Sequence, residues 1–223
     1  MGIAERKERE KNERRNAILS SAREIILLNG VEHASMAEIA RVAELSKATL
    51  YLYFPNKEAI FNEICEEAAR GFLERLQSMP SEGLGGMGAL RSLWRGYSEM
   101  FGNGDEMLVI FQVRSYMRTW IPSDPRAGEI KSPHVSAILE CIYGMIERCK
   151  ADGLFDPGLD PADAVGLILS TFSSIIGAAS RLPREARNPQ AMLGEMTKTF
   201  QVIIRGLARE GVGHSLLDLT GTE

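Results

Sequence analysis

Between Ser35 and Lys57 the chain encodes two short helices, a tight turn and the start of a third helix, and this stretch constrains it more than any other. Ser35 followed three positions later by Glu38 has the form of a capping box and starts the first helix. Ile39, Ala40 and Ala43 recur at helical spacing as its inner stripe. Ser46 is placed to cap the next helix, whose Leu50 and Phe54 face a core. Small residues at Ala40, Ala43 and Ala48 let the two helices approach closely. Lys47, Thr49, Tyr51 and Tyr53 then fall on the exposed side of the second helix, a donor-rich surface of a size that enters a DNA major groove.

This pattern resembles the DNA-binding domain of the TetR family of bacterial transcriptional regulators. The matching residues are Ile39-Ala40, Ala43, Leu45-Ser46, Thr49-Leu50-Tyr51, Tyr53-Phe54 and Lys57, and the resemblance is dense over roughly residues 15 to 65. Beyond them it rests on length and helical character. It implies that Lys47 and Thr49 approach base edges, and that Ser35, Ser46, Tyr51, Tyr53 and Lys57 complete the DNA-binding surface. Lys57 also begins a helix whose first amides favour an anion. One position departs from the pattern: Glu44 stands in the inter-helix turn, where the family usually has glycine. At positive φ a glutamate is strained where glycine is not.

The net charge of −4 does not by itself suggest a nucleic-acid binder, so its distribution matters more. Residues 1–57 hold 10 Lys+Arg and 8 Asp+Glu, whereas the remainder holds 16 and 22. Positive charge is thus modestly concentrated around the helix-turn-helix. The basic residues of positions 6–15 alternate with Glu5, Glu8, Glu10 and Glu13 at helical spacings, which reads as a solvated helix face.

Three cysteines without framework spacing argue against a disulfide-stapled secreted domain, and the charged amino terminus is unlike a signal peptide. The uncharged run Ala164–Ser180 is rich in Ser and Thr and reads as a buried helix. A cytoplasmic protein is expected. The three histidines lack metal-ligand spacing, and no nucleophile elbow, Walker loop or His-Glu-x-x-His motif occurs. No cofactor, metal site or enzymatic activity is expected. Gly83-Leu84-Gly85-Gly86-Met87-Gly88 matches Gly-x-Gly-x-x-Gly literally, but a long helix precedes it rather than a strand, so it reads as a hinge.

Periodicity is helical nearly throughout, which predicts an all-α fold. A first helix is expected from about residue 8 to 28, a fourth from 57 to about 79, and later helices near 88–102, 105–119, 132–152, 160–181 and 189–210. The expected division is a helix-turn-helix domain over residues 1–56 and a helical effector-binding and dimerisation domain over 57–223.

Aromatic and methionine residues gather in the middle helices: Trp94, Tyr97 and Phe101; then Phe111, Tyr116, Met117 and Trp120; then Met145 and Phe172. Such side chains suit an adaptable apolar pocket or an ordinary core, and the resemblance implies a small effector. The last two long helices carry apolar stripes, from which Ile168, Phe172, Ile175 and Ile176 on one, with Met196, Phe200 and Ile203 on the other, are expected to form a four-helix homodimer interface. The expected partners are a palindromic double-stranded operator, a second copy of the chain and a small hydrophobic effector. Repression relieved by that effector is the expected activity. The alternatives are control by a protein partner without an effector, and transcriptional activation.

Overall fold

The computed structural model describes residues 2–79, 85–102, 104–117 and 132–219. Among them the fold is all-α, in nine helices: α1 (Ile3–Asn29), α2 (Met36–Val42), α3 (Lys47–Tyr53), α4 (Lys57–Ser78), α5 (Gly86–Phe101), α6 (Asp105–Met117), α7 (Pro133–Ala151), α8 (Pro161–Ser180) and α9 (Pro189–Gly206). The nearest approach to a sheet among these residues is one isolated bridge between Phe155 and Ala208. That bridge and the turn around it end α9 at Gly206, short of the expected residue 210. The helix starts follow local chemistry: Ser132, Asp160 and Asn188 each accept a first-turn amide, each followed by proline at the first helical position.

The chain packs as two compact units, Met1–Glu67 with Leu108–Thr119, and Ala68–Met107 with Trp120–Glu223. The division falls inside α4 rather than before it, and most of α6 groups with the first unit instead of with the carboxy-terminal helices. The first unit is held by one apolar cluster. Ile18, Ala22 and Ile26 of α1, Ile39 of α2, Leu50 of α3, Ile60, Phe61 and Ile64 of α4, and Val113 of α6 are all fully buried in it. Before Ile18 the side chains of α1 are nearly all exposed, and ion pairs such as Arg6–Glu10 and Arg9–Glu13 run along its surface. That helix begins at Ile3, earlier than periodicity suggests, because these i,i+4 pairs support helix without needing an apolar stripe.

Glu44 is the single non-glycine residue at positive φ (55°) among the described residues. Its setting is a Schellman turn: Leu45 N donates to Ala40 O and Glu44 N to Arg41 O, closing α2 before α3 begins. The left-handed position is the one that glycine usually fills.

The second unit contains α5, α7, α8 and α9 with the end of α4. Gly86, first residue of α5, donates its amide to Asp152 Oδ2 (2.6 Å), and a Cβ there would overlap the Cys149 backbone. The glycine run read as a hinge therefore has, at Gly85–Gly88, a packing role: it lets α5 begin against the end of α7. Gly83 and Leu84 lie outside the described residues. α8 is long and apolar enough to cross a membrane by length and composition, and here it packs between α7 and α9.

Replacing Glu44 by Gly should raise stability by about 0.5–1 kcal/mol, the left-handed cost relieved less the extra unfolded-state entropy of glycine. A higher urea midpoint at unchanged slope would show it.

Candidate functional site

α2 and α3 are each seven residues long, too short to persist alone, and both are pinned by caps and core contacts. Ser35 Oγ accepts from Glu38 N (3.2 Å). The reciprocal half of the expected capping box is not made: Ser35 N donates to His33 O, and the Glu38 carboxylate turns to Arg41 (2.6 and 3.0 Å). That hydrogen bond, with the guanidinium charge, holds the Glu38 carboxyl below its ordinary range. Ser46 Oγ accepts from Thr49 N (3.0 Å) and shares a hydrogen bond with Thr49 Oγ1 (2.8 Å). The two hydroxyls thus fix one another at the start of α3.

Leu50 points into the core, and Phe54, just past the helix end, is buried beside it. The opposite side of α3 presents Lys47, Ala48, Tyr51 (53% exposed) and Leu52 (85% exposed). Tyr53 is half-buried and packs against the core, so its ring is anchored while Tyr51 stands free. Leu52 was not anticipated as part of this surface. The available signal was its offset of two from both Leu50 and Phe54, which turns a leucine away from the buried stripe.

Lys57 opens α4, capped by Asn56, whose Oδ1 accepts from Ala59 N (2.8 Å). The Lys57 ammonium lies 4.3 Å from the Tyr116 ring centroid and 6.0 Å from that of Phe61. Two ion pairs bind α1 to α4: Arg15 to Glu63 (2.8 Å), with its guanidinium also over Phe54, and Arg23 to Glu67 (2.9 Å). Ser35 and Ser46 cap α2 and α3, Lys47, Thr49, Tyr51 and Tyr53 lie on α3, and Lys57 opens α4, most of them at the surface.

The second unit contains an apolar cavity of about 140 Å³. Trp94, Tyr97, Phe172 and Phe200 form an aromatic wall with centroid separations of 5.3–6.1 Å. The Tyr97 hydroxyl donates to Met107 Sδ (2.9 Å), and burial pushes its pKa up. Val135, Ile138, Leu139, Ile142 and Ile146 of α7 make the facing wall. No charged residue lines the cavity among the described residues.

Of the nine side chains expected here, Trp94, Tyr97 and Phe172 line it. Phe111, Tyr116 and Met117 belong to the first unit, where Tyr116 and Met117 pack against its core. Met145 is half-buried and off the lining, because it falls between the lining positions Ile142 and Ile146 on α7. The Phe101 side chain and Trp120 lie outside the described residues. The α7 aliphatic stripe was missed because a stripe at helical spacing reads the same whether it meets a neighbour or a void.

The expected interface residues divide differently from the sequence reading. Phe172, Ile176, Met196 and Phe200 are buried within the unit, and Ile168, Phe172 and Phe200 line the cavity; Ile175 and Ile203 are half-buried. The outward face of α8 and α9 instead carries Leu167 (50% exposed), Ser174, Ala178 and Val202 (68% exposed). α8 is apolar around most of its circumference, and α9 carries Val202 off its main stripe, so the stripes alone did not distinguish inside from outside. Burial in an apolar setting beside Asp152 pushes the Cys149 thiol up to about 12, which leaves it a poor nucleophile. Among the described residues no cluster of His, Cys, Asp or Glu is arranged to hold a metal ion.

Residues 18–64 match the family model described as bacterial regulatory proteins, tetR family. The fatty acid metabolism regulator protein of Bacillus subtilis is 37% identical over 60 residues, 27% of this chain and 31% of that protein. The match therefore spans about a third of that relative's length. The transcriptional regulator UidR of Escherichia coli K12 is 29% identical over 187 residues, covering 81% of this chain and 91% of UidR. The fold is shared with the fatty acid degradation regulator FadR of Bacillus halodurans (TM-score 0.67, 18% identity, 88% of this chain and 97% of that one). It is also shared with NalD of Pseudomonas aeruginosa (TM-score 0.57, 23% identity, 91% and 99%).

Ser46→Ala should cost about 1 kcal/mol by uncapping α3, read as a lowered urea midpoint, with the rest of the first unit still folded. Residues 18–64 thus carry a helix-turn-helix of the kind found in bacterial regulatory proteins of the tetR family, and the described helices share the fold of solved regulators.

Proposed function

We infer that the chain acts as a homodimeric repressor, released from a palindromic operator when a small apolar or amphipathic effector fills the cavity of the second unit. The observation that carries this reading is the cavity itself. Interiors are normally close-packed, and a void of this size costs about 3 kcal/mol in lost contacts at about 24 cal/mol per Å³. A packed helical unit would instead have favoured control by a protein partner alone. A relative named a fatty acid metabolism regulator supports a lipophilic signal, one named an A-factor receptor supports control by a bound ligand, and NalD, titled a secondary repressor, supports repression. The setting is cytoplasmic, where operator DNA is.

α3 enters the major groove with Lys47 and Thr49 toward base edges, while Ser35, Ser46, Tyr51, Tyr53 and Lys57 contact the backbone on either side. Lys57→Ala should weaken every duplex alike and lower the slope of log affinity against log salt by about 1. Lys47→Ala or Thr49→Val should instead relax base preference by about 1–3 kcal/mol. Selection from a randomised duplex pool, repeated for each variant, separates the two effects. Recovery of no preferred sequence by the unaltered protein would sink the operator reading.

The dimer forms through the outward face of α8 and α9 around Leu167, Ser174, Ala178 and Val202. Val202→Asp should weaken self-association at least tenfold by placing a charge in an apolar seam, seen as a monomer mass in sedimentation at micromolar concentration.

An effector hiding about 200 Å² of apolar surface gains about 5 kcal/mol at 25 cal/mol per Å² before association costs. Only the difference between its affinities for the two arrangements shifts DNA binding, commonly 1–3 kcal/mol. A hydrophobic library screened by thermal shift, then by release from the selected duplex, tests this. Binders that raise the melting temperature yet leave duplex affinity unchanged would refute the switch.

A further inference from the structure

We propose that Tyr116, near the end of α6, is a positioning residue for DNA binding: its ring holds the Lys57 ammonium in place for a backbone phosphate without neutralising it. The assignment rests on the DNA-binding reading of Lys57 given above. Lys57 Nζ stands 4.3 Å from the Tyr116 centroid. Phe61, one turn further along α4 and fully buried, meets the same Tyr116 ring edge-on at 5.8 Å and 88°. A buried ring thus fixes a half-buried ring, and that ring seats the cation. All three residues belong to the first unit.

Three other basic side chains of this unit are held by acids. Arg15 pairs with Glu63, Arg23 with Glu67, and Arg41 with Glu38. A carboxylate partner fixes a cation in place but cancels its field at a phosphate. An aromatic face attracts the cation through its quadrupole and adds no formal charge. Among the described residues Lys57 makes no ion pair, so its full charge stays available. An ammonium has three N–H donors. The ring occupies one direction and leaves the others for phosphate oxygens.

Holding the side chain also matters entropically. A free lysine loses rotamer freedom when it grips a phosphate, and a lysine already resting on a ring has lost part of it before DNA arrives. The contribution should be independent of sequence, because phosphate contacts carry no base information.

The test is a double-mutant cycle read by fluorescence anisotropy with a mixed-sequence duplex at low salt, using the full chain. Tyr116→Leu should weaken binding about three- to five-fold, the size of an exposed cation–π contact. Tyr116→Phe, which keeps the ring, should bind like the unaltered protein. In the Lys57→Ala background, Tyr116→Leu should have no further effect. If Tyr116→Leu does not fold by circular dichroism, Tyr116→Met takes its place in the cycle. An equal loss with and without Lys57 would assign Tyr116 a merely structural role and overturn the proposal, as would Tyr116→Phe binding as weakly as Tyr116→Leu. Failure of the unaltered protein to bind any duplex would instead overturn the DNA-binding reading itself.

Discussion

The reading surface exists because one apolar core is shared by helices that could not stand alone. α2 and α3 span seven residues each, about two turns, well below the length at which an isolated helix persists in water. They are helical because Ile39, Ala40 and Leu50 are buried against α1, α4 and α6. Caps at Ser35 and Ser46 set where each begins, and the Schellman turn at Ala43–Leu45 sets the angle between them. Remove the core and the donors of α3 have no fixed geometry to present.

The second unit uses the same physics incompletely. Its helices pack closely at some places, as where Gly86 admits the Cys149 backbone, and leave a void at another. Cavity and close contact share α5 and α7. The void is where the proposed effector would sit.

Electrostatics is arranged locally rather than globally. The chain is acidic overall, and many amino-terminal basic residues are paired with glutamates. Lys47 on α3 and Lys57 at the head of α4 make no ion pair among the described residues and lie on the surface proposed to meet a duplex. Glu44 occupies the turn between α2 and α3 at a backbone angle that favours glycine. The structure shows no contact that explains the choice of glutamate there.

By itself the sequence determined the all-α class and the helix-turn-helix with Lys47 and Tyr51 at its surface, since these follow from caps, turns and periodicity within about twenty residues; it did not give the inward packing of Tyr53 or the exposure of Leu52. Ser46, Leu50 and Phe54 announce α3 locally; the cap at Ser46 formed as expected, and at Ser35 the hydroxyl half of the expected capping box formed while Glu38 turned to Arg41. Tertiary structure alone decided where the broad stripes went. Phe172 and Phe200, expected at a subunit interface, line a cavity, while Leu167 and Val202 face outward. Tyr116, expected in that cavity, lies under Lys57, 59 positions away along the chain. Periodicity tells which side of a helix is apolar, but not whether that side meets a core, a void or another subunit. That depends on the packing of residues distant in sequence, which no local pattern encodes.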